Sequence, residues 1–481
     1  MQTLPIEETI TALGGSKRAT EGVNRVANRW HENDGDGEAF QTFCEANFVD
    51  SDEDRSRLLD RFESAMGSIG GHLYEIRRHL RRWTDLRGDE MPSFDNTMAM
   101  FDPSPDLSDQ FYKQKVAFIA LLNFDRPDLA TMLSDGGKWS TNTWAEARAG
   151  RAFGPRIPAE VNDRARELEH EAGMFVSEFH VPVGCMVDAN GKSWFEKERK
   201  LIAHWLIREE IKAGYSQDGG LEKQRALSWV MGRHIDGTIP QEVMDSTCNG
   251  AWNPAENTIN GEAVTNLVGP KRYEHLCIHL SIARDYDEYY EEHPSAIARK
   301  FDLEREIPED TVETLMIELL EAPCRADIAK HMESILGRPL EAFDIYMEDL
   351  AEQASAAELD AKVTAKFKDE LEFQAKLPEV LTGLGYSNED AEFLGSRVNV
   401  EIARGAGHAM RPGIPEYHAW LRTNRLDDRL GWDGFDTAMH ELGHNLEQLI
   451  STHFVPRPLL RNVPNTACTE AFAFLYQNKA R

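Results

Sequence analysis

Long apolar runs are missing from this chain: none of its 481 residues lie in a stretch reaching the roughly 18 apolar positions of a membrane-spanning helix. The start, Met1-Gln2-Thr3-Leu4-Pro5-Ile6-Glu7-Glu8, has neither the basic residues nor the apolar segment of a secretion signal. Cysteine is sparse. Cys44, Cys185, Cys248, Cys277, Cys324 and Cys468 lie far apart without a C-x-x-C pair, which suits free thiols in a reducing compartment better than a disulfide framework. A cytoplasmic protein without membrane attachment is expected. Positive charge is also scarce, with 53 basic against 83 acidic residues and a formal net charge of −30, so neither nucleic acid nor an anionic membrane is an expected partner. Cationic peptides would be attracted, although a solvated acidic surface explains the excess as well. No fixed-period repeat and no low-complexity tract occurs. Gly405-Ala406-Gly407 lacks the third glycine of a dinucleotide loop and follows no expected strand; it reads as a place where backbone or substrate comes close.

What the chain does have is helical periodicity and, at 41% hydrophobic residues, material for a large core. Ser51-Asp52-Glu53-Asp54 resembles a capping box, leading into Leu58, Leu59, Phe62, Ala65, Met66 and Ile69. The stripe resumes at Leu73, Ile76, Leu80 and Trp83 beyond Gly70-Gly71, predicting a helical hairpin or a broken helix. Helices are also expected over 116–122, 161–175, 201–211 and 312–320. Stretches 87–109, 135–143, 249–260 and 411–415 carry loop punctuation. Alternating strand patterns are few, so the expected fold is mainly α with few short strands.

Residues 440–444 read His-Glu-Leu-Gly-His. Four residues are just over one helical turn, so His440 and His444 project side by side and can share one Zn²⁺. A third ligand from elsewhere leaves a fourth position for water, which the metal acidifies and Glu441 can deprotonate. Phe435, Ala438, Met439, Leu442, Leu446, Leu449 and Ile450 form the apolar stripe of the carrying helix. Asp433 or Asp436 is the expected cap, Pro456 and Pro458 prevent continuation, and about four turns are expected. Pro464-Asn465-Thr466 then signals a second helix, with Glu470, 26 positions after His444, about one turn inside it. Glu470 is the preferred third ligand, with Glu447 and His453 as rivals. A metzincin is excluded, because Glu447 and Ile450 stand where it needs Gly and His. His275 and His279 form a second pair four apart but lack the intervening glutamate, so packing is expected there, as it is for Cys468.

Arg404-Gly405-Ala406-Gly407-His408, then Asp436-Thr437-Ala438-Met439-His440-Glu441-Leu442-Gly443-His444, then Thr469-Glu470-Ala471-Phe472, together resemble the thimet oligopeptidase and oligoendopeptidase family of glutamate-ligand zinc peptidases. The angiotensin-converting and helical carboxypeptidase families are similar nearly to the same degree. The resemblance implies His440, His444 and Glu470 as zinc ligands, Glu441 as general base and proton shuttle, and long helices walling a deep channel. It covers only this local stretch. Glu447 stands where the family has a further, non-ligating histidine. The family also continues past the glutamate helix to His and Tyr groups that bond the tetrahedral intermediate, whereas this chain stops 11 residues after Glu470. Either it is a fragment or other donors serve, with His408, His453 and Tyr476 as candidates.

A helical wall region over 1–395 and a zinc-site segment over 396–481, truncated at its end, are the expected domains. The expected activity is zinc-dependent hydrolysis of short peptides, with no obligate protein partner evident. A metallocarboxypeptidase is one alternative. A catalytically weak or inactive helical protein that binds zinc or peptide is another, and a helical scaffold carrying a chance motif is the third.

Overall fold

Local capping and stripe patterns make helix the dominant element in the computed structural model, which describes residues 3–88, 92–101, 104–202, 206–212, 214–215, 218–244, 250–290, 292–344, 355–425 and 428–480. Among them are 24 α-helices and eight strands of two to five residues, so the fold is mainly α with few short strands. No described helix is long and apolar enough to cross a membrane. Contacts divide the chain into two units, Met1–Arg156 with Ala354–Arg481, and Ile157–Gln353. The boundary expected at 395/396 falls inside the first of these.

Ser51 caps α1 (Asp52–Leu80) by accepting from the Asp54 N–H at 3.1 Å. Acidic Asp52, Glu53 and Asp54 open the helix while Arg77, Arg78 and His79 close it, the charge order that suits its dipole. Here the structure corrects the expected hairpin or break: the helix runs uninterrupted through Gly70-Gly71. Each glycine costs about 1 kcal/mol relative to alanine. The cap, the terminal charges and the burial of Leu59 and Phe62 against Phe118, Phe124 and Phe153 offset that.

Of the other expected helices, 116–122 lies in Val116–Asn123, 161–175 in Ala159–Glu178 and 312–320 in Glu309–Leu320. The stretch 201–211 is instead the strand Leu201–Ile202 and the helix Leu206–Lys212, with 203–205 outside the described residues. Three expected loops are not irregular: 135–143 holds the 3-10 turn Gly136–Lys138 and the start of the helix Thr141–Gly150. Within 87–109 lie the helix Pro92–Ala99 and the first part of Ser104–Lys113, and within 249–260 the paired strands Trp252–Asn253 and Thr258–Ile259. Residues 89–91, 102–103 and Asn249 fall outside the described ones. Cys44, Cys185, Cys277, Cys324 and Cys468 are free thiols, and Cys248 lies outside the described residues.

Three strands in the first unit support the motif helix: β1 (Val398–Ile402), β2 (His408–Met410) and β3 (Ala419–Thr423). β3 is central, parallel to β1 and antiparallel to β2. Strand β1 corrects the expectation that none precedes Gly405-Ala406-Gly407. Its Val398 and Val400 join a core with Ala419 and Leu421 of β3 and with Ala438, Met439, Leu442, Leu446 and Leu449. Those last five residues are the expected stripe of α2 (Gly431–Phe454), and each fully buried leucine there contributes about 2 kcal/mol.

Helix α2 is 24 residues long and begins earlier than the expected cap positions. Neither Asp433 nor Asp436 caps it. The Trp432 N–H instead donates to Asp360 Oδ1 at 2.6 Å, a carboxylate on the helix Ala356–Lys366. A cap supplied from 72 residues away leaves no trace in the local pattern, so the first turn was not visible in it. Downstream, α3 (Thr466–Ala480) starts where expected, with Asn465 Oδ1 accepting from the Ala467 N–H at 3.0 Å.

Candidate metal centre

Close packing of α2 on α3 is set by Gly443: a methyl group built there would lie 2.6 Å from the Ala473 Cα. That approach faces His440 and His444 toward Glu470. Their ring centroids are 5.0 Å apart. His440 Nε2 lies 3.3 Å from Glu470 Oε2, and His444 Nε2 lies 3.5 Å from Glu470 Oε1. One donor atom from each of the three falls within 4.8 Å of the others. Tetrahedral zinc with bonds of about 2.0–2.1 Å wants donors about 3.3 Å apart, so this donor set fits the ion in chemistry, and each histidine has a Glu470 oxygen near that spacing, though not the same oxygen. It is the one such cluster of His, Cys, Asp and Glu among the described residues.

Glu441 is 7% exposed and lies between the two histidines in sequence. Burial, and secondly the negative charge of Glu470, push its carboxyl up to about 7, against the opposing effect of a hydrogen bond from the Ala409 backbone. The His444 imidazole is held below its ordinary value, mainly by burial, with His440 adding to the effect and Glu470 opposing it. Gly407 lets β2 come this close to α2. A methyl there would meet Thr437 Cγ2 at 2.4 Å and the Arg422 carbonyl oxygen at 2.9 Å, with Glu441 Cγ at 3.7 Å.

The other sequence candidates are occupied elsewhere. His408 Nδ1 is 3.2 Å from the Ala406 carbonyl and Nε2 is 2.8 Å from Arg422 Nη1. A carbonyl only accepts and a guanidinium only donates, so the ring is neutral with its proton on Nδ1. Burial, the largest cause, also lowers its pKa. Arg422 itself is fully buried and bonds Asp85 at 2.9 Å and Glu401 at 3.1 Å. The Tyr476 hydroxyl bonds that of Tyr386. His453 packs its ring against Phe393, with centroids 5.1 Å apart, and Glu447 is a half-buried carboxyl raised by that burial. Neither joins the cluster. In the second unit, His275 stacks on Phe175 at 4.3 Å, whereas Cys468, in the first unit, is exposed, which corrects the packing expected for it.

Two residues were missed. The Gln477 amide nitrogen donates to Asp436 Oδ2 at 2.6 Å, and its Oε1 is 3.1 Å from His440 Nδ1. A signal existed, since Gln477 is two turns after Glu470 and Asp436 one turn before His440, on the faces that carry the donors.

Comparison of the chain with known protein families and with curated proteins finds no match.

Proposed function

We propose that this chain is a zinc-dependent peptidase acting on short peptides, as its motifs' resemblance to the oligopeptidases implies. One observation carries the reading: the donor atoms of His440, His444 and Glu470 converge beside a buried glutamate. When bound, zinc would supply Lewis acidity that polarises the scissile carbonyl and acidifies a water. The two imidazoles and the Glu470 carboxylate would hold the ion. Glu441 takes a proton from the attacking water as its oxygen bonds the carbonyl carbon, then delivers that proton to the nitrogen leaving as the C–N bond breaks. The Ala409 N–H holds the Glu441 carboxylate during both transfers. The five free thiols are the reason to propose a cytoplasmic, reducing setting.

A second reading has its own observation. With His408 neutral and both its ring nitrogens engaged, Tyr476 tied to Tyr386 and His453 packed on Phe393, all three candidate donors to a tetrahedral oxyanion are occupied elsewhere. Missing one such donor typically lowers turnover by about a hundred- to a thousandfold, which favours a zinc- or peptide-binding protein of weak activity.

Metal analysis of the purified chain together with hydrolysis of internally quenched peptides separates them. The peptidase reading expects about one zinc per chain and cleavage that falls about a hundred- to ten-thousandfold in Glu441→Gln. Zinc without cleavage supports the binding protein, and an absence of zinc overturns both. Peptides with amidated C-termini test the mode of attack: only their free-acid forms would be cut by a carboxypeptidase.

A further inference from the structure

We infer that Gln477 and Asp436 are positioning residues that set His440 as a ligand through Nε2, an inference that rests on the metal-site reading above. The argument starts from what each group can do. A carboxylate only accepts hydrogen bonds, so the Gln477 atom 2.6 Å from Asp436 Oδ2 is its amide nitrogen. The amide oxygen must then face His440 Nδ1, at 3.1 Å. That oxygen also only accepts. The imidazole therefore carries a proton on Nδ1, so Nε2, 3.3 Å from Glu470 Oε2, is the nitrogen that would present its lone pair to a cation shared with that carboxylate.

Without a partner an imidazole distributes its proton between both nitrogens and turns about its side-chain bonds. The relay removes both freedoms. It also joins the helices at a second point, because Asp436 and His440 stand one turn apart on α2 while Gln477 stands on α3 with Glu470. One element thus brings a ligand and the group that orients another ligand. A hydrogen bond to the remote nitrogen also increases the electron density available at Nε2, as second partners of metal-bound histidines do.

A role in packing alone predicts something different, so the test uses a variant that keeps volume and one that restores chemistry. Gln477→Met fills the space without the amide. The double variant Asp436→Asn/Gln477→Glu reverses donor and acceptor between those two residues yet still offers His440 a carboxylate oxygen. Zinc affinity is read by competition with a chromophoric chelator, and the urea midpoint is followed in parallel. Gln477→Met is expected to weaken zinc ten- to a hundredfold, and the double variant to recover most of that loss. In the metal-free chain labelled with ¹⁵N-histidine, neutral His440 is expected to carry its proton on Nδ1, and to lose that preference in Gln477→Met. Zinc affinity within twofold of the parent in Gln477→Met, or no proton on Nδ1 of His440 in the parent, overturns the relay while leaving the metal site standing. A parent chain that holds no zinc removes the site and the role together.

Discussion

Gly443 is the residue on which the candidate centre turns, because its missing side chain lets two helices meet. Substituting alanine brings two opposed effects. Helix propensity favours it by about 1 kcal/mol. A methyl group 2.6 Å from the Ala473 Cα and 3.1 Å from its carbonyl oxygen meets backbone, which no rotamer change relieves. Overpacking of that kind costs about 1–3 kcal/mol, so separation of α2 from α3 wins. Gly443→Ala is expected to leave stability within about 2 kcal/mol of the parent but to weaken zinc at least tenfold as Glu470 moves away. Chelator competition and a urea titration read the two effects, and unchanged zinc affinity would refute this account of the glycine. At this scale the sequence was most informative where chemistry and spacing are local: His440, Glu441 and His444 follow from one helical turn. Arg422, Asp85 and Glu401 around His408 were not legible, since they meet only through the register of β1, β2 and β3 and the end of a distant helix.

At the scale of elements, α2 is fastened at its start by a residue outside itself. The first N–H groups of a helix have no partners within it, and Asp360 satisfies Trp432 while placing negative charge at the positive end. Asp360→Ala is expected to lower stability by about 1 kcal/mol, with Asp360→Asn retaining most of the hydrogen bond and less of the charge effect. Urea midpoints of the three proteins would check this, and equal midpoints would mean that water replaces Asp360 without loss. The buried stripe from Ala438 to Leu449 was readable because burial repeats with the helical period. The start of α2 was not, because its cap comes from another helix. The continuity of α1 was misread for a related reason: glycine is a local signal of a break, and the core around Leu59 and Phe62 that outweighs it is assembled from residues far along the chain.

For the whole molecule, the first unit is built from two separated lengths of chain, which no composition shift near residues 156 or 354 announces. The second unit has its own core of Val181, Val183, Ile207, Leu227, Val230 and Trp252, and Phe343 belongs to it. Beside Phe343, Asp344 is held by four donors: Arg338 Nη1 at 2.7 Å and Nη2 at 2.9 Å, the Glu341 N–H at 2.7 Å and the Tyr215 hydroxyl at 3.0 Å. Burial works to raise this carboxyl, but the bonds from Arg338, Glu341 and Tyr215 outweigh it and hold the pKa below the ordinary 3.8. A depressed carboxyl contributes stability above its unfolded value and loses it as pH falls through that value toward the folded one. Removing one partner of a buried ion pair costs about 3 kcal/mol, so Asp344→Asn is expected to open the second unit more readily at pH 7. Below about pH 4 the gap between the two proteins should begin to close, and it vanishes once the folded carboxyl is protonated, since a protonated aspartic acid and an asparagine are alike in charge. Hydrogen exchange of the full chain, followed at the helix Gly220–Asp236, reads this unit directly. A gap between parent and variant that stays constant from pH 7 down to pH 3 would mean that the Asp344 charge does not hold the second unit together.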